Sequence, residues 1–225
     1  MSEKCIVLFS GGLDSTTVLA YALNQGFEVW PLTFLYGQRH AVEVVKSEKT
    51  LEKYGLAGRR RLFRMDLSLY SKCSLTNSEL EVPEFDPSHI PTTYVPARNI
   101  IFLSIATGYA ETIGAKKIFI GVNSVDYSGY PDCRPEFIEA FNRTISVGTK
   151  QGCESKIEVV SPIMRMSKCE IIKLGTSLGV DYSLTHSCYN PTPDGLSCGV
   201  CDSCRLRLEG FRQAGLTDPV KYLQK

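Results

Sequence analysis

The stretch CIVLFSGGLDSTT, residues 5–17, runs from a short apolar segment directly into two adjacent glycines. Adjacent glycines allow backbone turns that other residues rarely adopt, and they let main-chain N–H groups approach an anion closely. Ser10 and Ser15 add hydroxyl donors, and residues 15–24 predict a helix whose N-terminus faces the same point. The stretch therefore predicts an anion site after a first strand. The alternative is an ordinary strand-to-helix turn in which Asp14 or Ser15 is the N-cap.

Asp14 narrows the kind of anion. The P-loop signature, GxxxxGK followed by Ser or Thr, is absent from this stretch. A carboxylate repels a bare phosphate, but it is a suitable neighbour when Mg²⁺ lies between the two groups. The glycine loop therefore favours a magnesium-bound polyphosphate such as a nucleotide.

Composition limits the class of protein. The chain has 225 residues and a formal net charge of +1, whereas proteins that neutralise many phosphates of a nucleic acid usually carry a clear basic excess. A small-molecule substrate, with no nucleic-acid partner, is the better expectation. No run approaches the roughly 20 apolar residues that cross a bilayer. The first ten residues lack the pattern of a signal peptide, so we expect a cytoplasmic protein without a membrane partner.

Apolar runs and amphipathic segments alternate along most of the chain. They predict strands at 5–10, 28–36, 60–67, 117–123 and 157–163, and helices at 15–24, 38–54, 97–113, 135–150 and 166–179. This order predicts an α/β fold, with a parallel sheet and helices on both faces. Ligands of such sheets bind at the carboxyl ends of the strands, so the loops 10–15, 37–40 and 124–134 should open at one edge.

Four of the nine cysteines crowd into the tail, at Cys188, Cys198, Cys201 and Cys204. The C-x2-C spacing suits a tetrahedral Zn²⁺, and four thiolates close the site to substrate, so we expect structural zinc. Disulfides are disfavoured in a reducing compartment, but an iron–sulfur cluster is a serious alternative. We expect a catalytic domain at 1–185 and a zinc-binding tail at 186–225 packed on it. His186 is interpreted as a loop histidine, because four cysteines already fill a tetrahedron.

Two further loops, 94–99 and 126–134, combine charged and aromatic side chains that suit a planar, anionic ligand. Either arginine, Arg98 or Arg134, can bind a carboxylate or phosphate through a bidentate fork. We predict substrate-binding residues at Tyr127 and Tyr130, which can stack on a heterocycle, and at Asp126, Asp132 and Arg134. Asp126 or Asp132 would accept hydrogen bonds from an amino-pyrimidinone edge of the guanine type. For each residue alone, a turn cap or a surface ion pair is an equally good explanation.

The motifs of this chain resemble those of a known family. SGGLDS at 10–15 is similar to the SGGxDS signature of the PP-loop ATP pyrophosphatases, which bind the pyrophosphate of ATP and transfer AMP. The ordered set FSGGLDS, YGQRH, VPARN, DYSGYPDCR and a terminal SCY with C-x2-C-x2-C resembles, within that group, the 7-cyano-7-deazaguanine synthase family. These motifs lie at 9–15, 36–40, 95–99, 126–134 and 187–204, so the resemblance covers nearly the whole chain.

The resemblance implies a Rossmann-like PP-loop fold, a ligand set and a reaction. ATP with Mg²⁺ would bind at Leu8, Phe9, Ser10, Gly11, Gly12, Leu13, Asp14, Ser15, Thr16, Thr17 and Val18. Asp14, Lys168 and Arg98 would be catalytic, although Lys168 alone is equally consistent with a solvated lysine in the first turn of a helix. The substrates would be 7-carboxy-7-deazaguanine, ammonia and ATP, and the protein would be a homodimer in the route to queuosine.

Two other functions stay open at this point. The chain is also compatible with another PP-loop adenylating enzyme, for tRNA thiolation or amidation. A tRNA thiolase would normally bring a basic RNA-binding module, which the balanced charge does not favour. A non-catalytic module that binds ATP and zinc is the second alternative.

Overall fold

The computed structural model of the chain describes residues 2–37, 41–77, 79–82, 92–125 and 130–223. In these ranges five strands form one sheet: β1 Lys4–Leu8, β2 Glu28–Leu35, β3 Arg61–Arg64, β4 Lys117–Phe119 and β5 Glu158–Val160. The strand order is β3-β2-β1-β4-β5, and every neighbouring pair is parallel. The chain winds outward from β1 in one direction and then returns to continue from β4 in the other. This confirms the predicted parallel sheet and places the topological switch between β1 and β4.

Seven α-helices connect or follow the strands in the described part of the chain: α1 Leu13–Asn24, α2 Ala41–Lys53, α3 Arg98–Ile113, α4 Pro135–Gly148, α5 Lys150–Ser155, α6 Lys168–Ser177 and α7 Asp202–Gln213. Five of them occupy predicted segments. The short α5 was missed because it restarts directly after α4, where the Thr149 hydroxyl accepts a hydrogen bond from the Gly152 N–H. The helix α7 was missed because the cysteine pattern dominated the interpretation of the tail.

The sheet is buried on both faces, as predicted. Along β1, Cys5 and Val7 pack on one side against α1, α2, α6 and α7, whereas Ile6 and Leu8 pack on the other against α3 and α4. Successive side chains of a strand point to opposite faces, so a continuous apolar strand is what a doubly covered sheet requires.

Three predicted strands are shorter than expected, and one of them is β5, which covers Glu158–Val160 of the predicted 157–163. The ladder of β4 ends at Phe119, and residues 120–123 continue without regular secondary structure into the site described below. There Gly121 lies so close to α1 that a Cβ atom would be 3.2 Å from the Ser15 nitrogen. At the sheet edge, β3 covers only Arg61–Arg64 and is mostly exposed. These differences reflect where the regular parallel ladder with the neighbouring strand ends, which the apolar pattern alone does not determine.

The tail is packed on the rest of the protein through α7. Phe211 belongs to the apolar core beneath α1 and α6. Arg207 is buried, forms an ion pair with Asp218 and donates hydrogen bonds to the Thr185 hydroxyl and the Tyr182 carbonyl. The tail is therefore attached by both apolar and charged contacts. None of the helices that the structure describes has both the length and the apolar character needed to span a bilayer.

Candidate active site

The glycine loop forms the predicted strand–loop–helix turn. Gly11 has a φ of +89°, a conformation that favours glycine, and the Ser10 hydroxyl accepts a hydrogen bond from the Gly12 N–H at 3.2 Å. The N-cap of α1 is Gly12, which offers no capping side chain. The alternative in which Asp14 or Ser15 is the N-cap is therefore wrong. Without a capping side chain, the first N–H groups of α1 are suited to hold an anion.

Asp14 and Lys168 form an ion pair beside this loop. Lys168 Nζ donates to both carboxylate oxygens of Asp14 at 2.8 Å. The side chain of Lys168 is 13% exposed and that of Asp14 is 32% exposed. Lys168 is the first residue of α6, whose start is fixed by a capping box between Ser167 and Glu170. Its stem lies against α7, because a Cβ atom on Gly210 would be 2.6 Å from Lys168 Cγ. Three helices thus converge on one charged pair.

A cavity of about 310 Å³ opens where the carboxyl ends of β1 and β4 meet. The glycine-loop residues Ser10 and Gly12 line it together with the Asp14–Lys168 pair. A second group of lining residues comes from other parts of the chain: Tyr36, Arg98, Tyr130, Tyr189 and Asp202. This volume is within the range of small-molecule sites, and its place in the fold is where doubly wound sheets bind ligands.

The predicted ATP-binding stretch Leu8–Val18 divides between the cavity and the core. Leu8, Phe9, Ser10 and Gly12 through Ser15 line the cavity. Gly11 and Thr16 do not line it, although Gly11 makes the turn and Thr16 donates a hydrogen bond to the Gly12 carbonyl at 2.8 Å. Thr17 and Val18 face the core, where the Thr17 hydroxyl lies 2.8 Å from the Tyr182 hydroxyl. These four residues support the loop from behind.

Arg98 reaches the cavity from the start of α3. The residue before it, Ala97, is left-handed with a φ of +56°, and no side chain of its own loop caps the helix. Instead the Asp132 carboxylate accepts a hydrogen bond from the Asn99 N–H at 3.1 Å, and the Asn99 amide donates to the Asp132 carbonyl at 3.0 Å. Within the described ranges, the Arg98 guanidinium forms no ion pair.

Of the predicted substrate-binding residues that the structure describes, only Tyr130 lines the cavity. Its hydroxyl lies 2.7 Å from that of Thr93. Burial raises the pKa of the Tyr130 phenol to about 12 and keeps it protonated. Asp132 is turned toward α3 and does not line the cavity, nor does Arg134, the N-cap of α4. Asp126 and Tyr127 lie outside the described residues.

The four tail cysteines come together as their spacing predicts. The sulfur atoms of Cys188, Cys198, Cys201 and Cys204 all lie within 4.8 Å of one another. Backbone N–H groups point at these sulfurs, with Asn190 donating to Cys188 Sγ at 3.3 Å and Cys201 donating to Cys198 Sγ at 3.4 Å. Such donors stabilise thiolates, the form in which cysteine binds a metal. The arrangement is suited to hold one metal ion.

Several cavity residues were not identified from the sequence. Tyr189 follows the first metal-site cysteine, and Asp202 follows the third. The sequence analysis explained this segment by its four cysteines, so the residues next to them were interpreted only as parts of the connecting turns. His186 also lies beside the glycine loop, where its backbone N–H donates a hydrogen bond to the Gly11 carbonyl at 3.1 Å. The signal that the sequence offered was an acidic residue, Asp202, directly after a cysteine of the C-x2-C spacing.

Comparison with known proteins agrees with this architecture. Residues 4–215 match the family described as Queuosine biosynthesis protein QueC. A 7-cyano-7-deazaguanine synthase of Syntrophotalea carbinolica is 54% identical over 230 residues, which cover 100% of this chain and 99% of that protein. Another, from Geotalea daltonii, is 52% identical and covers 99% and 97% of the two chains.

The fold is also found in a solved structure of low sequence identity. The crystal structure of a 4-thiouridine synthetase–RNA complex with bound ATP matches 95% of this chain and 50% of its own, with a TM-score of 0.50 and 19% identity. At that identity the likeness shows the fold alone. The family match and the full-length relatives together show that this chain belongs to the QueC family of queuosine biosynthesis proteins.

Proposed function

We propose that this protein is an ATP-dependent carbon–nitrogen ligase that converts 7-carboxy-7-deazaguanine and ammonia to 7-cyano-7-deazaguanine. One observation carries the proposal: the Asp14–Lys168 pair and the glycine loop line the same cavity as Arg98 and the buried Tyr130. A phosphate-binding turn and a site for a planar, anionic molecule thus share one cavity. The name of the full-length relatives supplies the product.

The chemistry explains why such a site needs ATP. A carboxylate resists nucleophiles, because its charge repels them and oxide is a poor leaving group. Attack of a carboxylate oxygen on the α-phosphorus of ATP releases pyrophosphate and gives an acyl-adenylate. Ammonia then adds to the acyl carbon, AMP leaves, and the amide remains after loss of a proton. In a second round the amide oxygen attacks the α-phosphorus of another ATP and releases its pyrophosphate, and loss of AMP and the two amide protons then gives the nitrile.

Both rounds place the same demands on the protein. The backbone N–H groups of the glycine loop and the start of α1 hold the departing pyrophosphate. Lys168 and Arg98 stabilise the negative charge that develops on the phosphate groups, and the rigid loop keeps the acceptor oxygen in line with the bond that breaks. One site serves both rounds, because each is an attack by an oxygen on the α-phosphorus.

Magnesium fits beside Asp14. Mg²⁺ in nucleotide sites is commonly held by one or two carboxylates together with the substrate phosphates, and Asp14 presents a partly exposed carboxylate to the cavity. When bound, the ion would supply positive charge to the leaving pyrophosphate. Lys168, which holds both oxygens of Asp14, would orient the carboxylate toward that position.

The tail site fits structural zinc. With Zn–S bonds of about 2.3 Å, the sulfurs of a tetrahedral site lie roughly 3.8 Å apart. The four cysteine sulfurs, all within 4.8 Å of one another, agree with this spacing. In a four-iron cluster each thiolate binds a different iron, so the sulfurs stand further apart. The zinc ion would brace the tail at 186–225 on the catalytic domain at 1–185 and take no part in the reaction.

The remaining parts of the proposal concern the setting of the enzyme. Nine cysteines that form no disulfide among the described residues suit the reducing cytoplasm. The balanced charge favours small-molecule substrates and no nucleic acid. A homodimer follows from the family resemblance. Free ammonia is the nitrogen donor that the family resemblance implies.

The test is a reconstitution with product analysis. The protein is incubated with ATP, Mg²⁺, ammonium and 7-carboxy-7-deazaguanine, and AMP is measured together with a product of nitrile mass. We expect AMP and the nitrile only when the deazaguanine acid is present. Binding of ATP without release of AMP would instead indicate a non-catalytic module. AMP release with another acceptor, but not with this acid, would indicate a different PP-loop adenylating enzyme.

A further inference from the structure

Asp202 is a carboxylate in the cavity that the proposed reaction has not used. It is the first residue of α7, and its Oδ1 atom is fully buried without a hydrogen-bond partner among the described residues. A buried carboxylate oxygen without a donor is costly, so such atoms usually acquire a donor from a ligand or a water molecule. Asp202 lines the cavity, so its carboxylate stands in the wall that a bound molecule would contact.

The other acidic groups near the cavity are already engaged. Two carboxylates, Asp14 and Asp202, are found among the described residues that line it. Asp14 is held by Lys168 at both oxygens. Asp132, which the sequence suggested for the heterocycle, accepts its hydrogen bond from Asn99 at the start of α3. Of the two carboxylates in the described lining, Asp202 is therefore the one that keeps an oxygen without a hydrogen-bond partner.

The surroundings of Asp202 suit a flat, hydrogen-bonding ring. Tyr130 and Tyr189 line the same cavity and offer aromatic faces against which a heterocycle can stack. The backbone of Asp202 is held between Cys201, the N-cap of α7, and Cys204, one turn further along. A carboxylate fixed in this way keeps its direction, which a hydrogen-bonding specificity element requires.

We propose that Asp202 recognises the amino-pyrimidinone edge of the substrate, with its two carboxylate oxygens accepting hydrogen bonds from the ring N–H and the exocyclic amine. This inference rests on the proposed function, because it names the group that selects the heterocycle in the same cavity. The cysteine site then has a consequence for substrate recognition, since it fixes the residue that reads the ring. A pyrrolopyrimidine lacking the exocyclic amine would leave one carboxylate oxygen without its donor.

The test compares Asp202→Asn with the wild-type protein, using 7-carboxy-7-deazaguanine and its analogue without the exocyclic amine. The amide turns an N–H₂ donor toward the donors of the substrate, so we expect KM for the deazaguanine acid to rise about 10- to 100-fold. KM for ATP should stay unchanged. Wild-type kcat/KM should fall by a similar factor for the analogue, and the variant should discriminate less between the two molecules.

Control variants distinguish a failure of the proposed role of Asp202 from a failure of the proposed function. Asp194→Asn changes an exposed acidic residue of the same tail and should leave both KM values unchanged. Metal content is measured for each variant, because Asp202 adjoins a cysteine of the metal site. If the wild-type protein makes nitrile and Asp202→Asn keeps its metal and its KM, only the role of Asp202 is refuted. If the variant loses metal, the wild-type protein provides the test through its kcat/KM for the deazaguanine acid and for the analogue without the exocyclic amine. Equal values for these two molecules overturn the inference. A wild-type protein that makes no nitrile refutes the proposed function itself.

Discussion

Lys168 Nζ lies 2.8 Å from both carboxylate oxygens of Asp14, across 154 positions of sequence. The pair joins the first turn of α6 to the first turn of α1, directly beside the glycine loop. The glycine stretch contains no lysine of its own, and the cation at this loop therefore comes from a distant helix. An ion pair that lines the cavity is also placed where its charges can act on a ligand.

We expect Asp14→Asn to reduce AMP formation by at least about 100-fold with the fold intact, because an amide neither holds Lys168 nor offers charge to a magnesium ion. Release of AMP in the presence of the deazaguanine acid is the measurement, and circular dichroism reports the fold. Lys53→Gln is the matched control, because it breaks the exposed Lys53–Asp181 pair of 3.2 Å on another surface. Near-normal turnover in the Asp14 variant would show that this carboxylate is not part of the site.

The elements that were predicted correctly are the ones with a local cause. The apolar run before Gly11 predicts a buried strand, and the glycines predict the turn that follows. The alternation of strands and helices is sufficient to predict a parallel sheet, since parallel strands need helical crossovers. The clustering of four cysteines likewise predicts their meeting in space, because they are separated by few residues.

The parts that escaped prediction depend on contacts between distant segments. Asp132 caps α3 through Asn99, which is 33 positions earlier, so its sequence neighbours gave no sign that the carboxylate is engaged. The Asp14–Lys168 pair was anticipated only as two separate residues. Asp202 lies in the cavity wall because α7 packs on α6. The sequence analysis did not predict α7, because it interpreted this segment by its cysteines.

Gly210→Ala tests whether the packing of α7 positions Lys168. The added methyl group would lie 2.6 Å from Lys168 Cγ and 2.9 Å from Ile172 Cδ1, so α6 and α7 must separate or the lysine must move. Misplacement of about 1 Å at a catalytic group can cost roughly 100-fold in rate, so we expect kcat for AMP formation to fall by about 10- to 100-fold. Overpacking should also lower the free energy of unfolding by about 1–3 kcal/mol.

Gly108→Ala is the control for that variant. Gly108 lies in the interior of α3, and a Cβ atom there would meet nothing within 4 Å. Alanine in place of an unconstrained helical glycine should raise the free energy of unfolding by about 0.5–1 kcal/mol and leave kcat unchanged. If both glycine variants kept full activity, α7 would have no part in holding Lys168.

Cys201→Ser tests the metal site. A serine hydroxyl replaces one of four thiolates, so we expect metal affinity to fall by about 100-fold or more, since even indirect partners of a metal ligand are commonly worth 10- to 100-fold. Thermal stability should fall with it, because metal binding and folding are coupled. Metal is measured by elemental analysis after dialysis against a chelator. Cys153→Ser, at an exposed cysteine outside the site, should retain the ion, and equal retention in both variants would contradict a four-cysteine site.

Asp218→Asn tests whether an ion pair inside the tail holds Arg207 in place for the hydrogen bonds that it donates outside the tail, to Thr185 and Tyr182. Asp218 accepts hydrogen bonds from Arg207 Nε at 2.8 Å and Nη2 at 3.0 Å, and both side chains are less than 5% exposed. Removing the negative charge leaves a buried guanidinium without its counter-ion, which typically costs about 3–5 kcal/mol. We expect the midpoint of urea unfolding to fall accordingly. Glu209→Gln, which breaks a largely exposed pair with Arg212 on the same helix, should leave that midpoint unchanged, because solvent screens such pairs. A similar midpoint for the two variants would mean that the Arg207–Asp218 pair does not secure the tail.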